Sequence, residues 1–590
     1  MRFIESKGFA ALFLLLISFG IYSFSLTGEF VWDDVQVIEK SYYSFQASNV
    51  ISHLVPEEKT QKRARYWRPV LYGSYVADMA VWDISPFGFH LSNVLFNCAA
   101  VVAFYFLSLL VFGAFMTEGK ERAAFFAGLL FALHPMHTES VAWVSGRTDV
   151  LAGLFFFLAF IFHVLLSTKS PVRFVLFLVL GAVGYSLSLL SKEVAVAFPL
   201  CVIFYDIITG RIRLPSSLAA YAVYAAITFG YIYLRGRGFV NVPEVNVALS
   251  PSGDLSAAAG AGSVYLGAVK TLLPTYFYYS YKLLFPFDFN AFIAAVPGDA
   301  LYVISSGFFI AVVLLAGLYG LIKGKKPAAF GLFWTFATLG PSALIAVFAL
   351  ASTPLAERYL YIPSAGYCLL LAYILTGRKL PTPKAGVVAV GLISILFATF
   401  TVARQFDWQT NLELWENTSK KSFASALPHV NYGYALQKSG RYKEAIFEFE
   451  AALHPDIADT KTGRAISAIN LGNVYIELGN YGRAEQYFQK ALGYDPFSGR
   501  AYYHLGLISF IRAQQTGDRA YYGQAALYLL ESLKRRRSYG RAHLLLAKTY
   551  LESSRLDKAR EHAEKALRSG LVGELKEEAE EIRKINDKGR

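Results

Sequence analysis

LGNVYIELGNYGRAEQYFQKALGYDP, residues 471–496, decides how the second part of this chain folds. Gly472, Tyr475, Ala484, Phe488, Ala491 and Pro496 fall at the offsets of a two-helix repeat with a 34-residue beat. Gly433, Gly472, Gly506 and Ala547 mark the same position in successive units, at spacings of 39, 34 and 41 residues. The first and third units therefore carry insertions of five and seven, the latter around Gln514–Tyr521.

These are the offsets of a tetratricopeptide repeat, and about four of them fill 426–590, after a linker at 405–425. The pairs Ala445/Phe449, Ala484/Phe488, Ala525/Leu529 and Ala559/Ala563 are expected to form the seam between the two helices of each unit. Each unit buries its apolar face only against its neighbours, so several are needed for stability. The charged segment 571–590 reads as a capping helix that frays. Stacked helix pairs offer a groove for an extended peptide or another protein, and a structural spacer is the plainer alternative.

Before residue 404 the chain has a different character. Apolar runs cover 9–26, 91–113, 123–140, 149–167, 172–190, 194–209, 216–234, 301–322, 328–350, 358–376 and 384–403. Several reach the roughly 20 residues that cross about 30 Å of hydrocarbon. The apolar content is 55%, and the mean hydropathy of +0.39 suits a membrane protein. The net charge of +13 would suit nucleic acid, but Lys and Arg gather in short loops between apolar runs, where they orient spans. Arg2 and Lys7, Lys120 and Arg122, Lys169 and Arg173, Arg211 and Arg213, Lys323 with Lys325 and Lys326, and Arg378 with Lys379 and Lys384 occupy alternate loops. Eleven spans follow, with the N-terminus inside and the C-terminus outside, provided the Tyr-rich stretch 262–289 is re-entrant or interfacial. Loop 27–90 is then external, although Lys59, Lys62, Arg63 and Arg65 run against the charge rule. No small-residue cleavage site follows the first run, which reads as a retained span. Cys98, Cys201 and Cys368 lie in apolar runs as packing residues.

Four motifs carry chemistry, and this topology assigns all of them to the external face. Asp33 and Asp34 follow Trp32 after the first span. A general base with a positioning neighbour is one reading, and a pair of loop acids or a helix cap the other. His134-Pro135-Met136-His137-Thr138-Glu139, continuing to Arg147 and Asp149, interrupts an apolar region. Ionisable groups at membrane depth are costly and so are functional candidates. His134, His137 and Glu139 suit hydrogen bonding to a substrate better than metal ligation, since the spacing is not that of a zinc protease. No cofactor is implied, although these groups are compatible with a divalent metal. Arg147 either pairs with Asp149 or holds an anionic head group. Lys192-Glu193 and Glu357-Arg358 complete the set, each also readable as an internal ion pair. Carboxylates with convergent cations suit attack by a hydroxyl on a carbon bearing a lipid-linked phosphate. The chain has no Walker loop, GxSxG elbow or Rossmann fingerprint.

Together, Phe30–Asp34, His134–Asp149, Ser191–Glu193, Ala356–Pro363 and the repeats resemble the transmembrane and tetratricopeptide-repeat-containing O-mannosyltransferases and their bacterial relatives. The resemblance implies an all-α protein. A GT-C-like bundle of about 11 transmembrane helices at 1–404 would be followed by an α-solenoid. It also implies an inverting glycosyltransferase with a polyprenyl-phosphate-linked sugar donor and a protein Ser/Thr acceptor recruited by the repeats. Asp33 is then the base and Asp34 its neighbour, where related enzymes carry Asp-Glu. Arg147, Lys192 and Arg358 would hold the donor phosphate, and His134, His137, Glu139, Glu193 and Glu357 would position substrate. The site and repeats would face the periplasm from a bacterial inner membrane, or the lumen of the endoplasmic reticulum in a eukaryote. A transporter of lipid-linked substrate lacks the expected pair of broken segments in two repeated halves. A non-catalytic assembly scaffold leaves the one-sided charged motifs unexplained.

Overall fold

The computed structural model describes residues 6–39, 67–238, 261–348, 353–376, 383–457 and 460–585. Lys59, Lys62, Arg63, Arg65, Arg2, Arg378 and Lys379 lie outside these residues. The chain divides into two compact units, Met1–Thr418 and Ser419–Arg590. The described residues form helices and a single antiparallel bridge between Ile293 and Leu355.

The first unit runs through α1 (Lys7–Tyr22), α2 (Pro69–Trp82), α3 (Pro86–Phe115), α4 (Lys120–Leu133), α5 (Thr138–Ala142), α6 (Arg147–Leu165) and α7 (Pro171–Ser191). It continues with α8 (Phe198–Thr209), α9 (Pro215–Gly238), α10 (Ala261–Leu284), α11 (Ala300–Ile322), α12 (Lys326–Val347), α13 (Tyr361–Thr376), α14 (Pro383–Phe406) and α15 (Asn411–Lys421). Among the described residues, nine helical segments are long and apolar enough to cross a membrane. The expected runs 123–140 and 194–209 are not among them. They hold α4, of 14 residues, and α8, of 12. Pro135 holds His134 in an extended conformation and ends α4. At the far end of α8, Gly210 turns left-handed at φ 77° and stops the helix.

The stretch expected to be re-entrant is α10, a 24-residue helix with Pro274 inside it. Its last turn carries Lys282, whose Nζ donates to the Phe287 carbonyl at 3.1 Å. The last turn of α9 carries Arg235, 3.6 Å from Glu193. The Arg235–Glu193 contact and the Asn290 N–H bond to Glu357 put both exits at the pole where the four motifs meet. The opposite pole is tied by Asp206, which accepts from Tyr221 Oη at 2.7 Å and lies 3.1 Å from His163 Nε2.

The outer surface of this unit is apolar. On α11, Leu301, Ile304, Phe308 and Ile322 are 70–75% exposed, a surface that water would not tolerate and hydrocarbon covers. Inside, helices meet through small residues, because without a hydrophobic drive close packing must hold them together. Helices α12 and α13 touch at Gly331 and Gly366. A Cβ on Gly366 would lie 2.5 Å from the Gly331 carbonyl.

The second unit stacks four helix pairs: α16/α17 (Ala426–Lys438, Tyr442–Ala452), α18/α19 (Lys461–Glu477, Tyr481–Tyr494), α20/α21 (Gly499–Thr516, Ala520–Arg535) and α22/α23 (Gly540–Glu552, Leu556–Arg568). A cap, α24 (Glu574–Lys584), buries Ala579 and Ile582. The expected seam is present. A Cβ on Gly433 would meet the Phe449 ring at 2.8 Å, one on Gly472 the Phe488 ring at 2.5 Å, and one on Gly506 Leu529 at 2.8 Å. The third-unit insertion extends its first helix to Thr516, ended by left-handed Gly517 at φ 72°.

Gly366→Ala should destabilise the membrane unit by about 1–3 kcal/mol, the usual range for overpacking. A thermal melt in detergent should show the loss, while Gly391→Ala, where a Cβ meets nothing within 4 Å, should melt as wild type.

Candidate active site

The site begins with a turn that no repeating element supports. After α1, residues Ser23–Thr27 wind into a 3-10 turn, and the chain passes through Phe30 to Asp34. Trp32 is held at φ 56°, in the left-handed region that a bulky side chain enters only when its surroundings compensate. Asn411 brackets it: Asn411 Oδ1 accepts from Trp32 N–H at 2.8 Å, and its Nδ2 donates to the Phe30 carbonyl at 3.3 Å. The Trp32 indole stacks on Trp143 at 5.0 Å and meets the edge of Trp415 at 5.1 Å. Trp408 lies 6.4 Å away on the same stack. The segment expected to be a linker thus begins with residues that belong to this unit, which ends at Thr418.

The two acids differ. Asp34 is fully buried. Its carboxylate accepts from Ser145 N–H at 2.9 Å, from Ser145 Oγ and from Val31 N–H at 3.4 Å. Burial pushes its pKa up to about 7, against the lowering effect of the Ser145 bonds. Asp33 is exposed, and no hydrogen bond or ion pair engages its carboxylate among the described residues. The protein around it still raises its pKa, an effect opposed by the guanidinium of Arg358.

The second motif folds back on itself. His134 accepts from Met136 N–H at 3.3 Å, α5 follows, and a second 3-10 turn, Val144–Gly146, leads into α6. Gly146 is required there, since a Cβ would come 2.5 Å from the Glu139 carbonyl. His137 Nε2 lies 2.7 Å from Ser364 Oγ, and both histidines pack in a ring cluster with Phe131, Tyr361 and Phe397. That places them inside the bundle. Among the described residues, no three His, Cys, Asp or Glu groups gather as a metal would require.

The cations pair across the fold, not with their sequence neighbours. Arg147 is buried and bonds Asp78 at 2.5 Å, Ser74 Oγ at 3.1 Å, the Phe89 carbonyl at 2.8 Å and Asn93 Oδ1. Asp149 instead takes Lys192, whose Nζ lies 2.6 Å from both carboxylate oxygens. Glu193 faces Arg68 at 3.1 Å. Glu357 faces Arg404 at 3.2 Å and accepts from Asn290 N–H at 2.5 Å. Arg358 binds Glu139 through Nη1 and Thr353 Oγ1 through Nη2 at 3.0 Å. The internal pairs Lys192–Glu193, Glu357–Arg358 and Arg147–Asp149 are not formed.

Ring contacts join the motifs. Arg358 lies 5.2 Å from the Trp143 ring and 5.1 Å from Tyr359, and Lys192 lies 4.8 Å from that same tyrosine. Asp33, Arg358 and Lys192 therefore share one pole with the tryptophan stack. The sequence reading missed Arg68, Asp78, Arg404, Asn411, Trp408 and Trp415. Arg404, a cation ending the last apolar run, and the two tryptophans that follow it were the signals available for them.

Asn411→Ala should open the bracket around Trp32, red-shifting tryptophan emission and raising amide exchange across 29–34. For Asp34, the folded state holds the proton above its usual value of 3.8. Its contribution to stability is full below that value and is lost as pH rises to about 7. Asp34→Asn should flatten the corresponding fall in melting temperature over that interval.

Residues 424–495, 469–527 and 518–570 match tetratricopeptide repeat families. The Caenorhabditis elegans protein O-mannosyl-transferase F38B6.6 is 25% identical over 73% of this chain and 61% of its own length. Human protein O-mannosyl-transferase TMTC1 is 26% identical, over 73% of this chain and 53% of its own. Mouse protein O-mannosyl-transferase TMTC3 is 23% identical, over 76% and 55%. The chain thus spans little more than half the length of these relatives. Among solved structures, the crystal structure of MamA protein aligns with 29% of this chain and 91% of its own, at 18% identity and a TM-score of 0.22. The homologues of this chain are protein O-mannosyl-transferases of the TMTC group, 22–26% identical over about 73% of it, and its tetratricopeptide repeats lie in the C-terminal region.

Proposed function

We propose that this protein is an integral-membrane glycosyltransferase that moves a sugar from a polyprenyl-phosphate-linked donor to a hydroxyl on an extracytoplasmic protein. The observation that carries this reading is Asp33: an exposed carboxylate that has no hydrogen-bond or ion-pair partner among the described residues, beside Arg358, on a loop that Asp34 and Asn411 hold still. Asp33 accepts the proton of the acceptor Ser or Thr as its oxygen attacks the anomeric carbon. The bond from that carbon to the phosphate oxygen breaks, and attack from the opposite face inverts the configuration. Arg358 has five N–H donors, of which Glu139 and Thr353 take two, leaving three for the charge growing on the leaving phosphate. Lys192 adds its charge from beside Tyr359. Arg147, whose three nitrogens are engaged by Asp78, Ser74, Asn93 and Phe89, serves by fixing the turn that presents Ser145. The relatives' names support mannose as the sugar, and the repeats support recruitment of the acceptor.

Asp33→Asn in detergent, supplied with lipid-linked sugar and an acceptor protein, should lose about 10²–10⁴ in turnover at unchanged melting temperature. Arg358→Lys should also turn over more slowly, since a point charge does not reproduce the guanidinium fork. Near-normal transfer by the Asp33 variant would end the general-base reading.

A further inference from the structure

The repeat unit contains a cavity of ≈ 670 Å³ between its last two helix pairs. Its lining comes from the carboxyl end of α21, the start of α22 and the carboxyl end of α23. Lys534, Arg537, Lys565 and Arg568 line it, with Leu530 and Leu533 below them, and no carboxylate is among the lining residues.

Cations at helix ends have an ordinary explanation, since they complement the helix dipole. Three of the four also hold local partners: Lys534 with Glu531 at 2.5 Å, Lys565 with Glu561 at 2.5 Å and Arg568 with Glu564 at 2.9 Å. These are exposed pairs one turn apart on their own helices, individually weak and easily redirected. Arg537 differs. It lies beyond the end of α21, and no ion pair engages its guanidinium among the described residues.

A histidine pair sets the polarity of the wall. His543 Nε2 lies 2.9 Å from the Arg537 carbonyl, which can only accept, so that nitrogen carries the proton. His543 Nδ1 must then accept from His562 Nδ1, 2.9 Å away. Burial lowers the pKa of both rings, that of His562 to about 4, with neighbouring Lys565 adding to the effect. Both rings are therefore neutral near pH 7, and the positive charge of the lining is that of its four lysine and arginine side chains, partly offset by Glu531, Glu561 and Glu564.

We propose that this cavity is a docking site for an acidic segment of a polypeptide, one or two of whose carboxylates reach Arg537 and Lys565 while its apolar atoms rest on Leu530 and Leu533. This rests on the reading of the protein as a transferase only in naming the partner class, because the binding itself needs no catalysis.

The test uses the full chain in neutral detergent and a fluorescein-labelled hexaglutamate peptide, followed by anisotropy, with hexaserine as the uncharged control. Hexaglutamate should bind more tightly than hexaserine, and its affinity should fall as salt is raised. Arg537→Glu and Lys565→Glu should each weaken it by about tenfold. Arg519→Glu, an exposed cation outside the cavity, should leave it unchanged. Equal binding of the two peptides, or an Arg537→Glu variant that binds as wild type, would overturn the proposal. Capture of anionic-lipid vesicles without binding of hexaglutamate would overturn it in favour of a membrane-facing surface. Because no sugar donor is present, these outcomes are independent of whether Asp33 is a base.

Discussion

Charge buried at the motif pole must be neutralised within the protein, and this constraint organises the membrane unit. An unpaired buried ion costs several kcal/mol, so each cation there seeks a carboxylate. Lys192 finds Asp149, Arg404 finds Glu357, Arg68 finds Glu193 and Arg147 finds Asp78, and each bond joins segments distant in sequence. The bonds fix the angular order of helices whose apolar surfaces would pack almost equally well in other arrangements. Hydrocarbon supplies little preference among those arrangements; the charge pairs and the small-residue contacts supply it.

The same constraint explains what the sequence made legible. Lys192, Glu193, Glu357 and Arg358 stand out because ionisable groups at membrane depth are rare. Their partners do not, because side chains adjacent in sequence need not face each other. Lys192 is extended at φ −158°, which turns its side chain away from that of Glu193. The repeats were legible for the opposite reason. Their packing is local and periodic, so Gly472 over Phe488 recurs as a spacing. The two short helices α4 and α8 were hidden by composition, since an apolar run looks alike on both sides of the proline that breaks or starts a helix.

The stretch just after the last span is more instructive. Residues 405–425 are polar enough to pass for a linker, yet Gln409 donates to the Phe24 carbonyl at 2.8 Å and its own carbonyl accepts from Glu29 N–H at 2.8 Å. Its two tryptophans were the clue, because indoles of that size are seldom placed where nothing covers them. Trp408 and Trp415 are 1% and 2% exposed.

Trp32 shows what this design asks of a sequence. Its backbone would favour glycine, and its ring is needed for the stack. Local preference and tertiary packing therefore oppose each other at the residue next to the open acid. Glycine would relax the chain but remove the ring; a smaller aromatic would keep the strain and lose part of the surface that offsets it. Tolerance to change at this point is consequently low in every direction, and it depends on residues almost four hundred positions away. The amino-terminal and carboxyl-terminal parts of the membrane unit can therefore drift only in concert.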